Sequence, residues 1–449
     1  MTPKTKTRLR WFLIAVGITG LSCLFTWWCM PEITEMSSVL SVRGQEGVSV
    51  TDFYNRLASR TIDRRDGGEV LCLSYEGSSR RDITTILNIL TADTNRCPSV
   101  VALDFYFSSP KIKAMDDSLI NALARCSEHS RLVMPYIVKY NEYDYLPLNP
   151  AERLNFIEQE DEVYASFTSD VSSYFNDTLV RMGKNVSFGV INLAANYFTD
   201  VMRDFRYEFP LSDTLSPALA EMYADRIIRS MPAEMAYQKT LADYSHYASE
   251  DAIQRIFYQE VERHFNNNND RHVTINYMTD TVFVYNTECL LDTSAAYAAQ
   301  REELLDVAKG RAVILGSLTE VKDVYITPLP DLQAGVLVHA YGADTILSNL
   351  YITHVPDWLA YLIAVLICIA FSYINCWALE RTDIAVNSIT RTLQFLFALF
   401  LIWFGYMFFV HGNVYIDLVI SILMLATSAF AYDLYNGIVY TIRKIMKKQ

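Results

Sequence analysis

Four stretches of the chain are long and predominantly apolar, and they separate one large polar segment from two short ends. These stretches are residues 11–30, 357–378, 392–410 and 414–440. Each is close to the roughly 20 residues that a helix needs to cross the hydrocarbon core of a bilayer. The pattern therefore predicts four transmembrane α-helices, one before residues 31–356 and three after them.

Within residues 31–356, short apolar runs alternate with stretches of helical periodicity. Continuous apolar runs of this length predict buried strands, here at Glu69–Tyr75, Val100–Phe107, Leu132–Val138, Ser187–Leu193, Val273–Tyr277 and Ala312–Gly316. After the first run, with Ser79 as the expected helix cap, apolar residues recur at the spacing of one helix face, at Ile83, Ile86, Leu87 and Leu90. The alternation predicts an α/β domain with a mostly parallel central sheet flanked by helices. A longer helical pattern over residues 216–265 predicts an inserted helical subregion.

The charges are distributed unevenly, and this predicts the orientation in the membrane. Residues 31–356 hold 28 of the 38 Lys and Arg and 46 of the 51 Asp and Glu, a formal charge of −18, although the whole chain carries only −13. Basic residues crowd both chain ends, at Lys4, Lys6, Arg8, Arg10, Arg443, Lys444, Lys447 and Lys448. Because basic residues beside a span stay in the cytoplasm, we expect both ends inside and the acidic segment outside. An acidic segment also argues against nucleic-acid binding.

The complete predicted order places a multi-pass protein in the cell inner (cytoplasmic) membrane, with its main domain in the periplasm. It comprises a cytoplasmic basic tail (1–10), a transmembrane helix (11–30), the extracytoplasmic domain (31–356), a transmembrane helix (357–378), a cytoplasmic loop (379–391), a transmembrane helix (392–410), a short outer loop (411–413), a transmembrane helix (414–440) and a basic tail (441–449). The first span is expected to be a retained anchor, since Trp27 and Trp28 stand where a cleaved signal peptide would have small residues.

Four cysteines fall in the domain, at Cys72, Cys97, Cys126 and Cys289. An extracytoplasmic location permits disulfides, but the spacing identifies no pair. Disulfide pairing and buried free thiols are both open alternatives.

Signatures of catalysis and of metal binding are missing from the sequence. It contains no GxSxG, HExxH, Walker loop, kinase set or paired CxxC. Its seven histidines show no ligand spacing. We therefore expect no enzymatic activity, no metal site and no cofactor.

Polar residues at the ends of predicted strands and at helix starts are the candidate ligand-binding or signalling residues. Asp104 follows a strand and Asp323 lies in the loop after AVILG. Carboxylates at strand carboxyl ends often face a ligand crevice, so the pair predicts a site for a cation or a hydroxylated ligand. The alternative is that Asp104 pairs with a nearby basic group or caps a turn. Arg81, with Arg80 before it, starts a helix and either holds an anion or belongs to a salt-bridged or solvated face.

His339 lies on the apolar arc of a predicted helix, with Val336, Ala340 and Ala343. One hypothesis is a core histidine whose ring nitrogens are paired. The other is a ligand contact or a protonation switch with an intrinsic pKa near 6.5.

Several of these pieces resemble one known family. AVILGS (312–317), Asp323, Thr327–Pro328 and GVLVHA (335–340) are similar to the closing signature of the CHASE domain, type 2, and SYEGSSRRD, VVALDFYF, DDSLINAL and FGVIN fit as well. Ala334 replaces the usual proline, and DVMR (200–203) lacks the usual glycine. The resemblance implies an extracellular sensory domain of the kind associated with cyclases and histidine kinases, followed by three spans.

These features together predict a membrane-anchored signal-input protein that detects an envelope or environmental signal. The expected partners are the lipid bilayer and an unknown small ligand or envelope protein. Because the cytoplasmic segments are too short for a catalytic core, we also expect a separate cytoplasmic or membrane signalling protein; a homodimer is compatible with this. The alternative is a structural or assembly scaffold of a cell-envelope complex. A pocket with convergent polar groups would favour sensing, and an exposed apolar patch without a pocket would favour assembly.

Overall fold

The computed structural model of the protein divides into two units, which are described separately. One unit is Asn55–Tyr351 and the other is Met1–Tyr54 with Ile352–Gln449. The structure describes residues 3–39, 54, 68–77, 79–107, 109–140, 167–169, 175–193, 201–211, 222–223, 227–265, 271–277, 282–320, 323–329, 331–379, 385–416 and 418–446.

The helices and strands follow one another along the whole described chain. The helices are α1 (Pro3–Val39), α2 (Arg80–Leu90), α3 (Lys113–His129), α4 (Asn176–Met182), α5 (Met231–Tyr244), α6 (Glu250–Glu262), α7 (Glu288–Leu291), α8 (Ala298–Ala308), α9 (Gly335–Leu347), α10 (Asp357–Leu379), α11 (Ala385–Gly412) and α12 (Val419–Met446). The strands are β1 (Val70–Ser74), β2 (Val100–Leu103), β3 (Arg131–Tyr136), β4 (Val138–Tyr140), β5 (Phe167–Ser169), β6 (Val186–Val190), β7 (Asp204–Arg206), β8 (Glu208–Pro210), β9 (Ile227–Arg229), β10 (His272–Thr274), β11 (Phe283–Asn286), β12 (Ala312–Gly316), β13 (Val324–Tyr325), β14 (Gln333–Ala334), β15 (Thr353–His354) and β16 (Val414–Tyr415).

A six-stranded sheet forms the centre of the first unit, and all its neighbouring strands are parallel. Its order is β11-β1-β12-β2-β3-β6. The predicted mostly parallel sheet is thus confirmed. Because every strand runs the same way, the carboxyl ends of all six lie along one edge.

Helices cover both faces of this sheet, as the continuous apolar strands require. Successive side chains of a strand point to opposite faces. Leu71 and Leu73 of β1 pack in a core with residues of α2, α3, α4 and α8. The alternate residues Val70 and Cys72 pack instead with residues of α5 and α9, such as Met235. The domain therefore has three layers, with the sheet between two layers of helices.

A buried ion pair joins α2 to α3 in the first of these helical layers. The Arg80 guanidinium binds the Asp116 carboxylate, and the two side chains are only 5% and 3% exposed. Arg80 Nη2 also donates to the Ser109 carbonyl at 2.5 Å. Asp116 Oδ2 accepts from the Lys111 backbone at 2.9 Å. The charge of Arg80 is therefore compensated inside the fold.

Several local predictions are confirmed, and others differ from the structure. Ser79 caps α2 by accepting from the Asp82 backbone at 3.3 Å. Strand β2 ends at Leu103, whereas the predicted strand continued to Phe107. The predicted strand Val273–Tyr277 supplies only β10, which pairs antiparallel with β7 outside the main sheet.

The helical pattern over residues 216–265 is not a separate insertion. Its first helix, α5, covers one face of the central sheet, where Met231 and Met235 are fully buried among strand residues. The edge strand β11 was not predicted, although residues 282–285 (VFVY) are apolar; in the structure its side chains alternate between half-buried and exposed. Cys72, Cys97, Cys126 and Cys289 carry free thiols in the structure.

The second unit contains four helices that are long and apolar enough to cross a membrane. The qualifying segments are Lys4–Thr26, Trp358–Ala378, Ile389–Gly412 and Val419–Val439. The predicted arrangement of one N-terminal and three C-terminal spans is thus confirmed. Helices α1, α10 and α12 pack together, for example where Trp11 and Ile18 meet Cys376 and Tyr432. Arg391 of α11 binds Asp433 of α12 at 2.6 Å.

Asp116→Ala is expected to destabilise the domain by about 3 to 5 kcal/mol, because it leaves the buried Arg80 without its partner. Asp117→Ala is the matched control. Its side chain is exposed on the same helix, so a change within about 0.5 kcal/mol is expected. Thermal unfolding of the full chain in detergent, followed by a dye that reacts with the buried thiols of Cys72 and Cys126, measures both. Equal effects of the two substitutions would contradict a structural role for the pair.

Candidate functional site

A pocket opens at the carboxyl edge of the central sheet. The chain leaves β2 at Asp104, β6 at Ile191 and β12 at Gly316, and the segments that follow enclose a cavity of about 460 Å³ with the start of α2 and with α9. This volume is typical of sites for small molecules. Its polar lining residues are Arg80, Asp104, Tyr106, Ser109, Lys111, Glu320, Asp323 and His339, and its apolar ones include Ile83, Phe105 and Phe107.

Three of the four residues that the sequence singled out meet in this pocket. Asp104, Asp323 and His339 all line it, although they are far apart along the chain. Arg81 does not line the pocket, and its side chain is exposed on α2. The neighbouring Arg80 points inward instead. The sequence also did not single out Glu320, which lies at the exposed rim.

Asp104 is the first residue after β2, and its backbone N–H still donates to Leu315 of the adjacent strand at 2.9 Å. Its side chain is half-buried. Within the part of the chain that the structure describes, its carboxylate has no ion-pair or hydrogen-bond partner. Burial raises the pKa of Asp104 well above its ordinary value, and the nearby charges of Asp323 and Glu320 raise it further. The carboxyl thus faces the cavity, and no cation among the described residues forms an ion pair with it.

Asp323 lies in the loop between β12 and β13. Burial raises the pKa of its carboxyl to about 6, although a hydrogen bond with the Tyr325 side chain lowers it and the charge of Glu320 raises it. The loop is held from both sides: the Asp323 N–H donates to the Glu320 carbonyl at 3.0 Å, and the Asp323 carbonyl accepts from Gly335 at 2.9 Å. Asp323 is therefore fixed beside the start of α9.

Two glycines make this arrangement sterically feasible. A Cβ at Gly335 would overlap the Asp323 carboxylate. A Cβ at Gly316 would lie 2.6 Å from Val336 Cγ2 and 3.1 Å from Asp104 Cβ. Gly316 and Gly335 thus allow β12, α9 and the carboxylates of Asp104 and Asp323 to approach one another.

His339 of α9 is 2% exposed. Burial lowers the pKa of its imidazole to about 4, and a hydrogen bond with the Ile191 backbone offsets this only partly. Among the described residues Nδ1 has no hydrogen-bond partner. The burial fits a core histidine, whereas the unpaired nitrogen does not. The lowered pKa argues against a protonation switch near pH 6.5 and leaves ligand contact as the functional hypothesis.

Glu76, which the sequence analysis did not select, organises the loop after β12. Its carboxylate accepts from Ser317 Oγ at 2.7 Å, from the Leu318 backbone at 3.0 Å and from Thr319. Burial alone would raise its pKa, but the hydrogen bonds from Ser74, Thr319 and the loop lower it to about 2. Glu76 is therefore an ionised structural residue. In the sequence, only its occurrence within SYEGSSRRD indicated that it could have a role.

The pocket is acidic overall. Asp104, Glu320 and Asp323 contribute three carboxyl groups, of which Glu320 is exposed; the two basic lining residues are Arg80, already bound to Asp116, and Lys111, which is exposed. No three His, Cys, Asp or Glu side chains in the described residues converge closely enough to hold a metal ion. The Asp104 carboxyl and His339 Nδ1, which have no hydrogen-bond partner among the described residues, are suited to a ligand that carries hydrogen-bond donors.

The fold and the pocket define a three-layer α/β domain with a cavity of small-molecule size, in a chain with four membrane-length helices. A profile of the CHASE2 domain matches residues 66–374, more than half of the chain. The chain therefore belongs to the CHASE2 domain family, a family of extracellular sensory domains. No curated protein and no solved structure matches it.

Asp323→Asn is expected to stabilise the ligand-free protein at pH 8 but not at pH 4. A carboxyl whose folded-state pKa is about 6, above an unfolded value of 3.8, adds stability below the unfolded value and loses it as the pH rises through 6. At pH 8 the ionised Asp323 therefore costs about 1 to 3 kcal/mol that asparagine does not. Thermal unfolding by circular dichroism at both pH values measures this.

Asp331→Asn, at an exposed position nearby, is the control and should change little at either pH. Equal stabilisation by Asp323→Asn at pH 4 and pH 8 would show that the effect does not come from ionisation.

Proposed function

We propose that this protein is a membrane-anchored sensor whose extracytoplasmic pocket binds a small cationic ligand. The observation that carries the proposal is the convergence on one cavity of Asp104, Asp323 and His339, whose Nδ1 has no hydrogen-bond partner among the described residues. Two desolvated carboxyls without a cation are unfavourable when the pocket is empty. A protonated amine would supply both the missing charge and the missing hydrogen-bond donors.

The proposed relay to the membrane runs through α9 and the segment after it. Helix α9 contributes His339 to the pocket, and only residues 348–356 separate it from α10. The residues that follow α9 are fixed to the domain. Asn276 Nδ2 donates to the Leu350 carbonyl at 2.8 Å, and His264 stacks on Tyr351 with ring centroids 4.0 Å apart. A change in α9 packing would therefore reach the following span rather than be absorbed by a loose linker. Output would pass to a separate signalling protein.

A pocket with convergent polar groups supports sensing over the alternative of an envelope scaffold. Among the described residues of the domain, Tyr247 and Ile256 are exposed apolar side chains, at 85% and 65%, and neither lines the pocket. The scaffold hypothesis therefore takes second place.

A panel of small amines, polyols and anions tests the ligand class on the full chain in detergent. Putrescine, spermidine or an amino sugar is expected to raise the unfolding temperature, because a ligand that binds only the folded state stabilises it. Binding should weaken at least about 10-fold in Asp104→Asn and Asp323→Asn, since each removes one carboxylate contact of at least about 1.4 kcal/mol. Asp331→Asn should bind normally.

The pH dependence of that binding follows from the same groups. Affinity should fall as the pH drops through about 6, where Asp323 gains its proton. Stabilisation by anions or polyols alone, or amine binding that survives both substitutions, would contradict a cationic ligand in this pocket.

The topology is tested with reporter fusions. Alkaline phosphatase, which is active only outside the cytoplasm, should be active when fused after Tyr351 and inactive when fused after Met446, because basic residues keep the chain ends inside. Green fluorescent protein at the same positions should give the opposite pattern. Phosphatase activity only at the second position would place the domain in the cytosol and end the sensor proposal.

A further inference from the structure

A second cavity lies in the membrane-associated unit, between the start of α1 and the last turns of α12. It has a volume of about 420 Å³, and its lining residues, which we call the terminal groove, are Lys6, Leu9, Arg10, Leu13, Ile14 and Tyr435. No function proposed above uses these residues.

The terminal groove combines two cations with an apolar wall. Lys6 and Arg10 are one helical turn apart, and so are Leu9 and Leu13, so each pair follows the helix axis. All four side chains are exposed, Leu9 and Leu13 by 45% and 62%. An aqueous surface disfavours such leucines, whereas a surface that contacts lipid accommodates them.

The two cations lack a counter-ion within the described residues. No ion pair or hydrogen bond involves the side chain of Lys6 or Arg10 there. The acidic residue nearest in sequence to Tyr435 on α12 is Asp433, whose carboxylate already binds Arg391 at 2.6 Å. Like charges one turn apart on a helix repel each other, so an anion between Lys6 and Arg10 would be favoured.

The position along the helices identifies the kind of anion. Lys6 and Arg10 fall in the first turns of the membrane-length segment Lys4–Thr26, and Tyr435 lies near the end of Val419–Val439. Basic side chains at such ends extend toward the lipid headgroups, and aromatic side chains favour the same level. Basic pockets between transmembrane helices bind anionic headgroups.

We propose that the terminal groove binds one anionic phospholipid. Lys6 and Arg10 hold the headgroup phosphate, the Tyr435 hydroxyl is available as a further donor, and an acyl chain lies along Leu9, Leu13 and Ile14. The occupant is a lipid rather than a soluble phosphate because the apolar wall continues directly from the cations. The inference is independent of the sensory pocket.

The same helix supplies a matched control. Lys4 and Arg8 are also exposed, also one turn apart and equally charged, but they do not line the groove. The variants Lys6→Gln/Arg10→Gln and Lys4→Gln/Arg8→Gln therefore change the net charge of the tail equally. Only the first pair removes the groove's cations.

The test is native mass spectrometry of the full chain in detergent with equimolar phosphatidylglycerol and phosphatidylcholine. The unaltered protein should retain one phosphatidylglycerol in preference. Lys6→Gln/Arg10→Gln should weaken this binding about 10- to 30-fold, since each basic residue near the surface contributes about 1 kcal/mol. Lys4→Gln/Arg8→Gln should weaken it less than about 3-fold. Glycerol phosphate should not compete, because it lacks the acyl chain.

Equal losses in the two double variants, or no preference for phosphatidylglycerol, would overturn the proposal and leave only the general attraction of a basic tail. Competition by glycerol phosphate would also overturn it, because a soluble anion would then be sufficient. Leu9→Trp fills the groove and keeps both charges, so it should also reduce lipid binding. Retained binding in Leu9→Trp would contradict the groove even if the double variant failed to fold.

Discussion

The pocket depends on the close approach of three segments at one edge of the sheet. Gly316 ends β12, Gly335 begins α9, and Asp323 lies between them in the chain. A methyl group at either glycine would collide with Val336 or with Asp323. Without that approach, α9 would not lie against the sheet, and Asp104, Asp323 and His339 would not line one cavity.

The same edge of the sheet contains both satisfied and unsatisfied polar groups. Arg80 with Asp116, and Glu76 with the Ser317–Thr319 backbone and hydroxyls, are fully bonded and hold loops in place. Asp104, Asp323 and His339 are desolvated, and among the described residues neither the Asp104 carboxyl nor His339 Nδ1 has a hydrogen-bond partner. Groups of the second kind lower the stability of the empty domain, and real proteins tolerate such violations mainly at functional sites.

The sequence predicted the sheet well where hydrophobicity was continuous and less well elsewhere. Ala312–Gly316 was placed without error because both faces of that strand are buried, whereas the half-exposed edge strand β11 was not predicted although residues 282–285 (VFVY) are apolar. Asp104 and Asp323 were predictable because parallel strands bring their carboxyl ends together. The sequence could not show whether Arg80 or Arg81 faces the interior. A shift of one residue turns a helical side chain by about 100°, and only the packing of α2 on α3 decides which arginine is buried.

The energetics limit what the proposed relay can do. A ligand shifts a conformational equilibrium only by its difference in affinity for the two states, and reversing a 1:99 ratio requires about 5.5 kcal/mol. Restoring Asp323 from a pKa of about 6 toward its ordinary 3.8 supplies about 3 kcal/mol of this at most. The remainder must come from Asp104 and His339. Because His339 is part of α9, a ligand contact with His339 that supplies the remaining free energy would also act on α9, the domain helix nearest in sequence to the membrane span.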